Sequence, residues 1–364
     1  MKQNVDMANN KLINNPEILA AAQALQRGNL VALPTETVYG LGADATNPDA
    51  LKKIFAAKGR PSDHPLIVHI AKGAPLGHWA VQIPDAAHKL IDEFWPGPLT
   101  LILKRGRGIP LDVTGGQETV GIRCPAHPMA QALLAAFSKI GSGVVAAPSA
   151  NKFGHVSPTT AQHVRDEFGV AIGTTGDMIY LLDGGACKVG IESTILDLSR
   201  GKPVLLRPGA ISREQIRDVT GDVPLMSDGT VATKNEVAAP RVSGSLAAHY
   251  APLTPLKLLV AELLQAEMDS MLDSGKRVAV LAFAAPPKMN PSPVGVGIRN
   301  ARRLVWITGD QDAVGYAQGL YANLRTLDAA ATSIILVEKP PETVPWDAVN
   351  DRLSRAAVGS GKHR

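Results

Sequence analysis

The chain has 364 residues, of which 45% are hydrophobic and 19% are charged, a composition typical of a globular protein and unlike that of a disordered one. This length favours two domains. Lysine and arginine exceed the acidic residues by only 37 − 33 = 4, and aromatic residues make up 4%. The composition therefore permits phosphate contacts, but it does not indicate an aromatic surface for single-stranded RNA.

The two cysteines, Cys124 and Cys187, lie far apart and outside any C-x-x-C pattern. This spacing argues against a disulfide framework or a zinc ribbon and favours a reducing compartment. The first residues, MKQNVDMANNKLINN, are polar and lack the apolar core of a signal peptide. No apolar run approaches the roughly 20 residues that span a bilayer. We therefore expect a cytoplasmic protein that does not bind membranes.

The first part of the chain mixes short apolar strands with helices. We predict strands, in chain order, over Asn29–Pro34, Pro65–Ile70, Leu99–Lys104, Thr119–Arg123, Gly143–Ala147, Ile191–Leu198 and Pro203–Arg207. Pro48 is expected to open one helix, and Ser157, which precedes a proline, another. Ser212 and Gln215 have the spacing of a capping box and predict a helix that closes this region.

The rest of the chain has a different pattern. Residues 224–245 have little apolar periodicity and many small or polar residues, which indicates a linker. Strands and helices then alternate, a pattern that predicts a parallel sheet covered by helices. The predicted strands are Leu256–Val260, Arg277–Phe283, Arg303–Thr308 and Ser333–Glu338. No G-x-G-x-x-G follows any of them, so dinucleotide binding is not indicated. We divide the chain into a first domain over 14–220, a linker over 221–252 and a second domain over 253–358.

The segment PTETVYGLG, directly after the first predicted strand, is a candidate ligand-binding segment. Thr35, Thr37 and Tyr39 supply hydroxyls at alternate positions, while Gly40 and Gly42 would let the backbone approach a ligand. An ordinary glycine turn explains the same pattern.

A pair of cations ends the helix that Pro48 opens. Lys58 shares a helix face with Leu51 and Ile54, so its ammonium group must reach solvent or meet an anion. Arg60 follows on a proline-stiffened loop, and the two cations would form a phosphate clamp. The alternative is a basic helix end that interacts with the helix dipole.

Polar side chains also interrupt several predicted strands. Thr119, Gly121 and Arg123 share one strand face, which would make a poor core but a good floor for a polar ligand. His69 lies in an apolar strand, where a hydrogen-bonded core histidine is the alternative reading. Ser157 would serve as a helix N-cap, as an anion ligand, or as both. Since the chain has no P-loop motif, we expect scattered Lys, Arg and Ser groups to hold any bound ATP.

Taken together, these segments resemble the YrdC-like family of threonylcarbamoyl-AMP synthases in its longer, two-domain form. The motifs that carry the resemblance occur in family order over about residues 15–255: PTETVYGLGA, KGRPSDHPLIVHI, WPGPLT, TVGIRCPAHP, APSAN, IESTI, LLRPGAI and HYAP. The resemblance implies an α/β protein, with a YrdC-like mixed, twisted sheet around an open cavity and a smaller, Rossmann-like parallel second domain. It also implies the condensation of L-threonine, bicarbonate and ATP into threonylcarbamoyl-AMP and pyrophosphate, for N6-threonylcarbamoyladenosine modification of tRNA.

The resemblance also implies roles for individual residues. Threonine and its carbamoyl group would be bound by Thr35, His69, Thr119, Arg123 and Ser193. ATP would be bound by Lys58, Ser62, Thr119, Ala147, Ser149, Asn151, Ser157 and Arg207, with His249 or Tyr250 of the linker closing over it. The catalytic residues would be Lys58, Arg60 and Arg123, whose charges offset the repulsion between the two carboxylates of N-carboxy-threonine. Mg²⁺ would accompany ATP, with no protein side chain identified as its ligand. One departure from the family pattern is Ser243-Gly244-Ser245 before HYAP, which affects the expected linker path.

The implied partners are threonylcarbamoyl-transferase proteins that receive the product, and a contact with tRNA is left open. Two alternative functions deserve comparison. A non-catalytic RNA-binding module would need aromatic and basic surface clusters, which the composition does not favour. The related carbamoyl-adenylating domain of hydrogenase maturation occurs in proteins with cysteine-rich zinc segments, which two isolated cysteines cannot supply.

Overall fold

The chain forms two compact units in a computed structural model. The model describes residues 12–173, 179–226, 239–287 and 303–362. The first unit comprises Met1–Phe153 and Ser157–Ser245, and the second comprises Gly154–Val156 and Leu246–Arg364. The chain thus passes into the second unit after Ser245, inside the segment predicted to be a linker.

The predicted linker, residues 221–252, does not behave as one element. Residues 227–238 lie outside the described part of the chain. The portion up to Ser245 belongs to the first unit, whereas Ala251 belongs to the second, where its N–H donates to the Gly154 carbonyl at 2.8 Å.

The first unit is built on a large mixed sheet. Its strands are β1 Val31–Leu33, β2 Gly40–Asp44, β3 Ile67–His69, β4 Ala80–Val81, β5 Leu99–Arg105, β6 Thr119–Arg123, β7 Val145–Ala146, β8 Tyr180–Leu181, β9 Thr194–Asp197, β10 Val204–Arg207 and β11 Leu225–Met226. They lie in the order β11-β10-β9-β5-β6-β3-β7-β2-β1-β8, with β4 beside β5. β6 pairs with β5 in antiparallel and with β3 in parallel orientation, which confirms the predicted mixed sheet.

Several helices of this unit begin or end at recognisable local signals. They are α1 Pro16–Gln26, α2 Pro48–Lys58, α3 Asp85–Phe94, α4 Leu111–Thr114, α5 Pro128–Phe137, α6 Ala161–Phe168 and α7 Arg213–Thr220. In α2, the Asn47 side chain caps the N-terminus and Gly59 adopts a left-handed conformation, φ 63°, at the C-terminus. The predicted capping box of Ser212 and Gln215 is present in α7.

The predicted helix start at Ser157 is wrong. Helix α6 begins at Ala161, and Thr160 is its N-cap because the Thr160 hydroxyl accepts a hydrogen bond from the His163 N–H. The preceding backbone has other partners: the Pro158 carbonyl accepts from the Tyr39 N–H at 2.9 Å. Hydrogen bonds to distant parts of the chain therefore occupy the backbone of this segment before α6 begins.

The alternative reading of Gly40 and Gly42 as an ordinary glycine turn is wrong, and their predicted role as points of ligand approach stays a prediction. Both residues lie in β2, which forms an antiparallel pair with β1. A Cβ atom on Gly42 would lie 2.7 Å from a Val145 methyl group and 2.9 Å from a Leu33 methyl group. Gly42 is therefore required by packing within the sheet.

The second unit contains a four-stranded parallel sheet. Its strands are β12 Leu256–Leu259, β13 Val278–Ala282, β14 Leu304–Thr308 and β15 Ile334–Glu338, in the order β12-β15-β13-β14. Among the described residues of this unit, the helices are α8 Ala261–Asp273, α9 Ala313–Ala329 and α10 Asp347–Gly359. The buried face of α8 includes Leu264, Met268 and Leu272, spaced at helical intervals, and these residues join the core formed by the sheet. The predicted Rossmann-like arrangement is confirmed. Within the described residues, every helix is too short or too polar to cross a lipid bilayer.

Candidate functional site

Lys58 lies at the end of α2, and its side chain is directed into the first unit. The residue is only 3% exposed. Its ammonium group donates hydrogen bonds to the backbone carbonyls of Ser149 and Asn151. Burial, together with the nearby charge of Arg60, holds the pKa of Lys58 well below its ordinary value. A buried cation bound to neutral oxygens is energetically poised to accept an anion.

Two further buried arginines meet at Ser243. Arg60 donates from Nη2 to the Ser243 hydroxyl at 2.9 Å, and Arg207 donates from Nη1 to the Ser243 carbonyl at 2.9 Å. Arg207 also binds Ser193, whose carbonyl accepts from Nε at 3.1 Å and from Nη2 at 2.9 Å. The Ser193 hydroxyl lies 2.7 Å from that of Thr100. Thus Arg60, Arg207 and Ser193 form one connected polar group.

Arg123 has a different environment, because a carboxylate faces it. Its Nη2 forms a buried ion pair with Glu36, whose other oxygen accepts from the Ala126 N–H at 2.8 Å. Its Nη1 donates to the Thr37 hydroxyl at 2.8 Å, and its Nε donates to the Gly97 carbonyl at 3.3 Å. Burial raises the pKa of Glu36, but the Arg123 charge and hydrogen bonds outweigh that effect and leave the pKa lowered.

Thr35 and His69 both lie close to Arg123. Thr35 is linked to it through the Thr37 hydroxyl, and His69 is its partner on the neighbouring strand. The Thr35 hydroxyl lies 2.9 Å from that of Thr37 and donates to the Val38 carbonyl at 2.6 Å. His69 is paired with Arg123 in the register of β3 and β6. Burial, and then the Arg123 charge, lowers the pKa of His69 to about 3. His69 is therefore a neutral imidazole at physiological pH, able to form hydrogen bonds but not to supply charge.

A small pocket open to solvent lies within the first unit, and it reaches the polar group through Ser243, which binds Arg60 and Arg207. Thr119, Gly121 and Ser243 line it, whereas Arg123, the third residue of the predicted polar strand face, is not among its lining residues. Arg241, at the edge of this pocket, is held by two contacts. Its guanidinium lies 3.1 Å from the Asp63 carboxylate, and its backbone N–H donates to the Gln117 side-chain oxygen at 2.7 Å. We call Arg241–Ser243 the rim segment.

The predicted nucleotide residues are only partly brought together. Besides accepting from Lys58, Asn151 donates from its side chain to the Lys152 carbonyl at 2.7 Å. The Ser157 hydroxyl donates to the buried Glu192 carboxylate at 2.6 Å. The N–H of Ala147 donates to the Ile67 carbonyl at 3.0 Å, in the middle of the sheet. Ser62, in contrast, is exposed on the loop that follows Arg60.

His249 and Tyr250 belong to the second unit. The backbone of Tyr250 is left-handed, with φ 59°, and its ring stacks on Tyr321 with 5.7 Å between the centroids. The His249 N–H donates to the Arg355 carbonyl at 3.3 Å. Their closure over ATP stays a prediction.

Sequence reasoning missed three contributors: Glu36, Glu192 and Arg241. Glu36 stands between two threonines that were singled out, but nothing local indicates that Arg123 faces it. Glu192 precedes Ser193 in the IESTI motif, and a run of polar residues that interrupts a predicted apolar strand was a usable signal. Arg241 lies in a segment with no periodicity, so its contacts had no sequence signal.

Comparisons with known proteins agree in both units. Residues 23–209 match the Sua5/YciO/YrdC family model, described as telomere recombination, and residues 211–358 match the model for the threonylcarbamoyl-AMP synthase C-terminal domain. A threonylcarbamoyl-AMP synthase of Bacillus subtilis is 40% identical, over 98% of this chain and 97% of that protein. One of Pyrococcus abyssi is 36% identical, over 94% of both chains. The structure is similar to the crystal structure of P. abyssi Sua5 complexed with L-threonine, with a TM-score of 0.77, 34% identity and coverage of 94% of each chain.

Proposed function

The chain belongs to the threonylcarbamoyl-AMP synthase family in its two-domain form, and we propose that the polar site of its first unit condenses L-threonine, bicarbonate and ATP into threonylcarbamoyl-AMP and pyrophosphate. This activity makes it a nucleotidyltransferase whose product is the activated precursor for the threonylcarbamoyl modification of tRNA. A non-catalytic RNA-binding role is set aside, because the full-length relatives are named as synthases.

The observation that carries the residue assignment is the grouping of buried cations in one unit. Lys58, Arg60, Arg123 and Arg207 are all less than 10% exposed. Burying cations is costly unless anions accompany them. Threonine, bicarbonate and ATP together bring two carboxylate-type groups and a triphosphate, which add negative charge to that of the Glu36 carboxylate beside Arg123.

The chemistry needs positioning more than acid–base catalysis. The neutral threonine amine attacks the carbon of bicarbonate, and loss of water gives N-carboxy-threonine. A carbamate oxygen then attacks the α-phosphorus of ATP, and the bond to pyrophosphate breaks. The carbamate is already ionised at that step, so the site must hold two anions in line and offset their charge. Lys58, Arg60 and Arg207 would bind the phosphates, while Thr35, His69, Arg123 and Ser193 would bind threonine and its carboxylate groups.

Mg²⁺ fits this scheme as an ion carried by the nucleotide. Within the described residues, no cluster of three or more His, Cys, Asp or Glu side chains could hold a metal ion. Mg²⁺ commonly relies on substrate phosphates and water with few protein ligands. When bound, it would neutralise phosphate charge, and Lys58 and Arg207 would hold the phosphate oxygens that it leaves free.

The remaining proposals concern what surrounds the site. The linker, including His249 and Tyr250, would act as a lid that keeps water from the labile adenylate. The product would pass to a threonylcarbamoyl-transferase protein.

The function is tested by measuring pyrophosphate release from ATP with bicarbonate and each amino acid in turn. We expect threonine to support release about 10- to 100-fold better than serine, because one methyl contact is worth about 1–3 kcal/mol. Threonylcarbamoyl-AMP should be detected as the product by mass spectrometry. Equal release with serine or valine would contradict the assigned threonine pocket, and no release with any amino acid would contradict the proposed function.

A further inference from the structure

The buried carboxylate of Glu36 is not a substrate ligand in the proposed reaction, yet it lies against a predicted one. Its side chain is 10% exposed and that of Arg123 is 5% exposed, so water screens their ion pair poorly. One Glu36 oxygen binds the Arg123 guanidinium and the other accepts from the Ala126 N–H. Glu36 is thus itself held in place by backbone on the far side of the ion pair.

Arg123 is fixed along three directions. Its Nη2 binds Glu36, its Nη1 donates to the Thr37 hydroxyl, and its Nε donates to the Gly97 carbonyl. A guanidinium carries five N–H donors. These three bonds therefore leave two N–H groups, one on each terminal nitrogen. Two such donors in a fixed plane match a carboxylate.

We infer that Glu36 is a positioning residue that fixes the plane of the Arg123 guanidinium, so that its two remaining N–H groups bind the carboxylate of threonine. The inference rests on the proposed function, which supplies threonine as the ligand. Glu36 acts through Arg123 and does not touch the substrate.

Because Glu36 is negatively charged, the inference can be tested by whether its replacement strengthens or weakens threonine binding. A carboxylate near an anion-binding arginine lowers the net positive charge that the substrate meets. If charge alone set affinity, Glu36→Gln would strengthen threonine binding. If orientation of the arginine dominates, Glu36→Gln would weaken it, because the amide no longer holds the guanidinium by a charged bond.

The experiment uses the full chain and measures pyrophosphate release against threonine concentration, with ATP affinity measured separately by calorimetry. We expect Glu36→Gln to raise the KM for threonine at least 10-fold and to leave the dissociation constant of ATP within twofold. Thr37→Val removes the Nη1 acceptor without changing charge or size, and it should raise the same KM by a smaller factor, about 3-fold.

Asp197→Asn is the matched control. Asp197 is another buried carboxylate of the first unit, at the end of β9, with an ion pair of 2.6 Å to Arg200. Asp197→Asn and Glu36→Gln should both lower the melting temperature, because each replaces a buried charged partner, but Asp197→Asn should not change the KM for threonine. An equal rise of KM in this control would show that the effect of Glu36 is merely structural.

Coupling to Arg123 completes the test. Arg123→Lys keeps the positive charge but loses the planar pair of N–H donors. The double variant Glu36→Gln/Arg123→Lys should therefore raise the KM for threonine no further than Arg123→Lys alone. The inference is overturned if Glu36→Gln leaves or lowers the KM for threonine, if ATP affinity falls in parallel, or if the two effects multiply. Failure of the proposed function would look different, since the unaltered protein would then release no pyrophosphate with threonine.

Discussion

The two halves of the candidate site hold their buried cations differently. Arg123 faces the carboxylate of Glu36, whereas the hydrogen bonds of Lys58 and Arg207 go to neutral carbonyl and hydroxyl oxygens. The first cation is therefore more fully compensated than the other two before any substrate binds, although the Glu167 charge also acts on Lys58. The number of buried cations thus overstates the positive charge that the site offers to an anionic substrate. We infer that Arg123 mainly orients the substrate, while Lys58 and Arg207 mainly offset its negative charge.

The largest expected effect comes from removing charge in the less compensated half. Lys58→Met should lower the rate of pyrophosphate release by about 10²–10³-fold, as expected for the loss of one preorganised electrostatic contact. Stability should change little, because losing the cost of a buried charge offsets the loss of two hydrogen bonds. The melting temperature should therefore stay within about 3 °C, which corresponds to about 1 kcal/mol.

Lys52→Met is the control for this variant, because Lys52 lies on the same helix but is exposed and pairs with Asp49. It should leave both activity and stability nearly unchanged. A large loss of melting temperature with normal turnover in Lys58→Met would show that Lys58 has a structural role only.

The second prediction concerns the compensated half and uses His69 as its probe. Native His69 stays neutral down to about pH 3, whereas the unfolded chain takes up a proton near 6.5. Between these values the unfolded state binds more protons, so stability falls as pH falls, by at most about 1.4 kcal/mol per pH unit for one proton. His69→Asn should remove this contribution and flatten the curve of unfolding free energy against pH in that window.

Denaturant unfolding at several pH values from 3.5 to 7 measures this slope. His88→Gln, which alters an exposed histidine, should retain the slope of the unaltered protein. If His69→Asn also retained it, His69 would not be neutral in the native state, and the charge of Arg123 beside it would be more fully compensated than we infer.

The smallest expected effect lies at the rim of the cavity. The Arg241–Asp63 ion pair is exposed, and such pairs contribute about 0–1 kcal/mol. Arg241→Ala and Asp63→Asn should each change the KM for ATP by no more than about 5-fold, because the rim segment is also held by Ser243. The effect of Asp63→Asn should shrink at 0.5 M salt, where exposed pairs are screened. Changes as large as those of Lys58→Met would show that the rim segment controls the site.

Local patterns were sufficient for much of the secondary structure. All seven strands predicted in the first unit are present, most of them shorter, and Thr119–Arg123 has the predicted bounds. The strand that begins at Gly40 was missed, because its glycines also fit a turn and only its partners in the sheet show that it is extended. The predicted helix start at Ser157 was wrong for a related reason. The helix signal lies in adjacent residues, whereas the hydrogen bonds that compete with it come from distant parts of the chain.

The sequence by itself determined the two-part α/β organisation, the inward position of Lys58 on its helix and the polar face of Thr119–Arg123. These follow from periodicity over a few residues, which the order of the chain records directly. The predicted contact of the Lys58 ammonium group with solvent or an anion is absent among the described residues, where it donates to two backbone carbonyls. Only the tertiary structure decided which charges meet. Arg123 and Glu36 are 87 residues apart, and Arg60 and Ser243 are 183 apart. Such contacts depend on the order of strands in the sheet and on the path of the segment that returns to it, because pairing between distant segments leaves no periodic trace in either one.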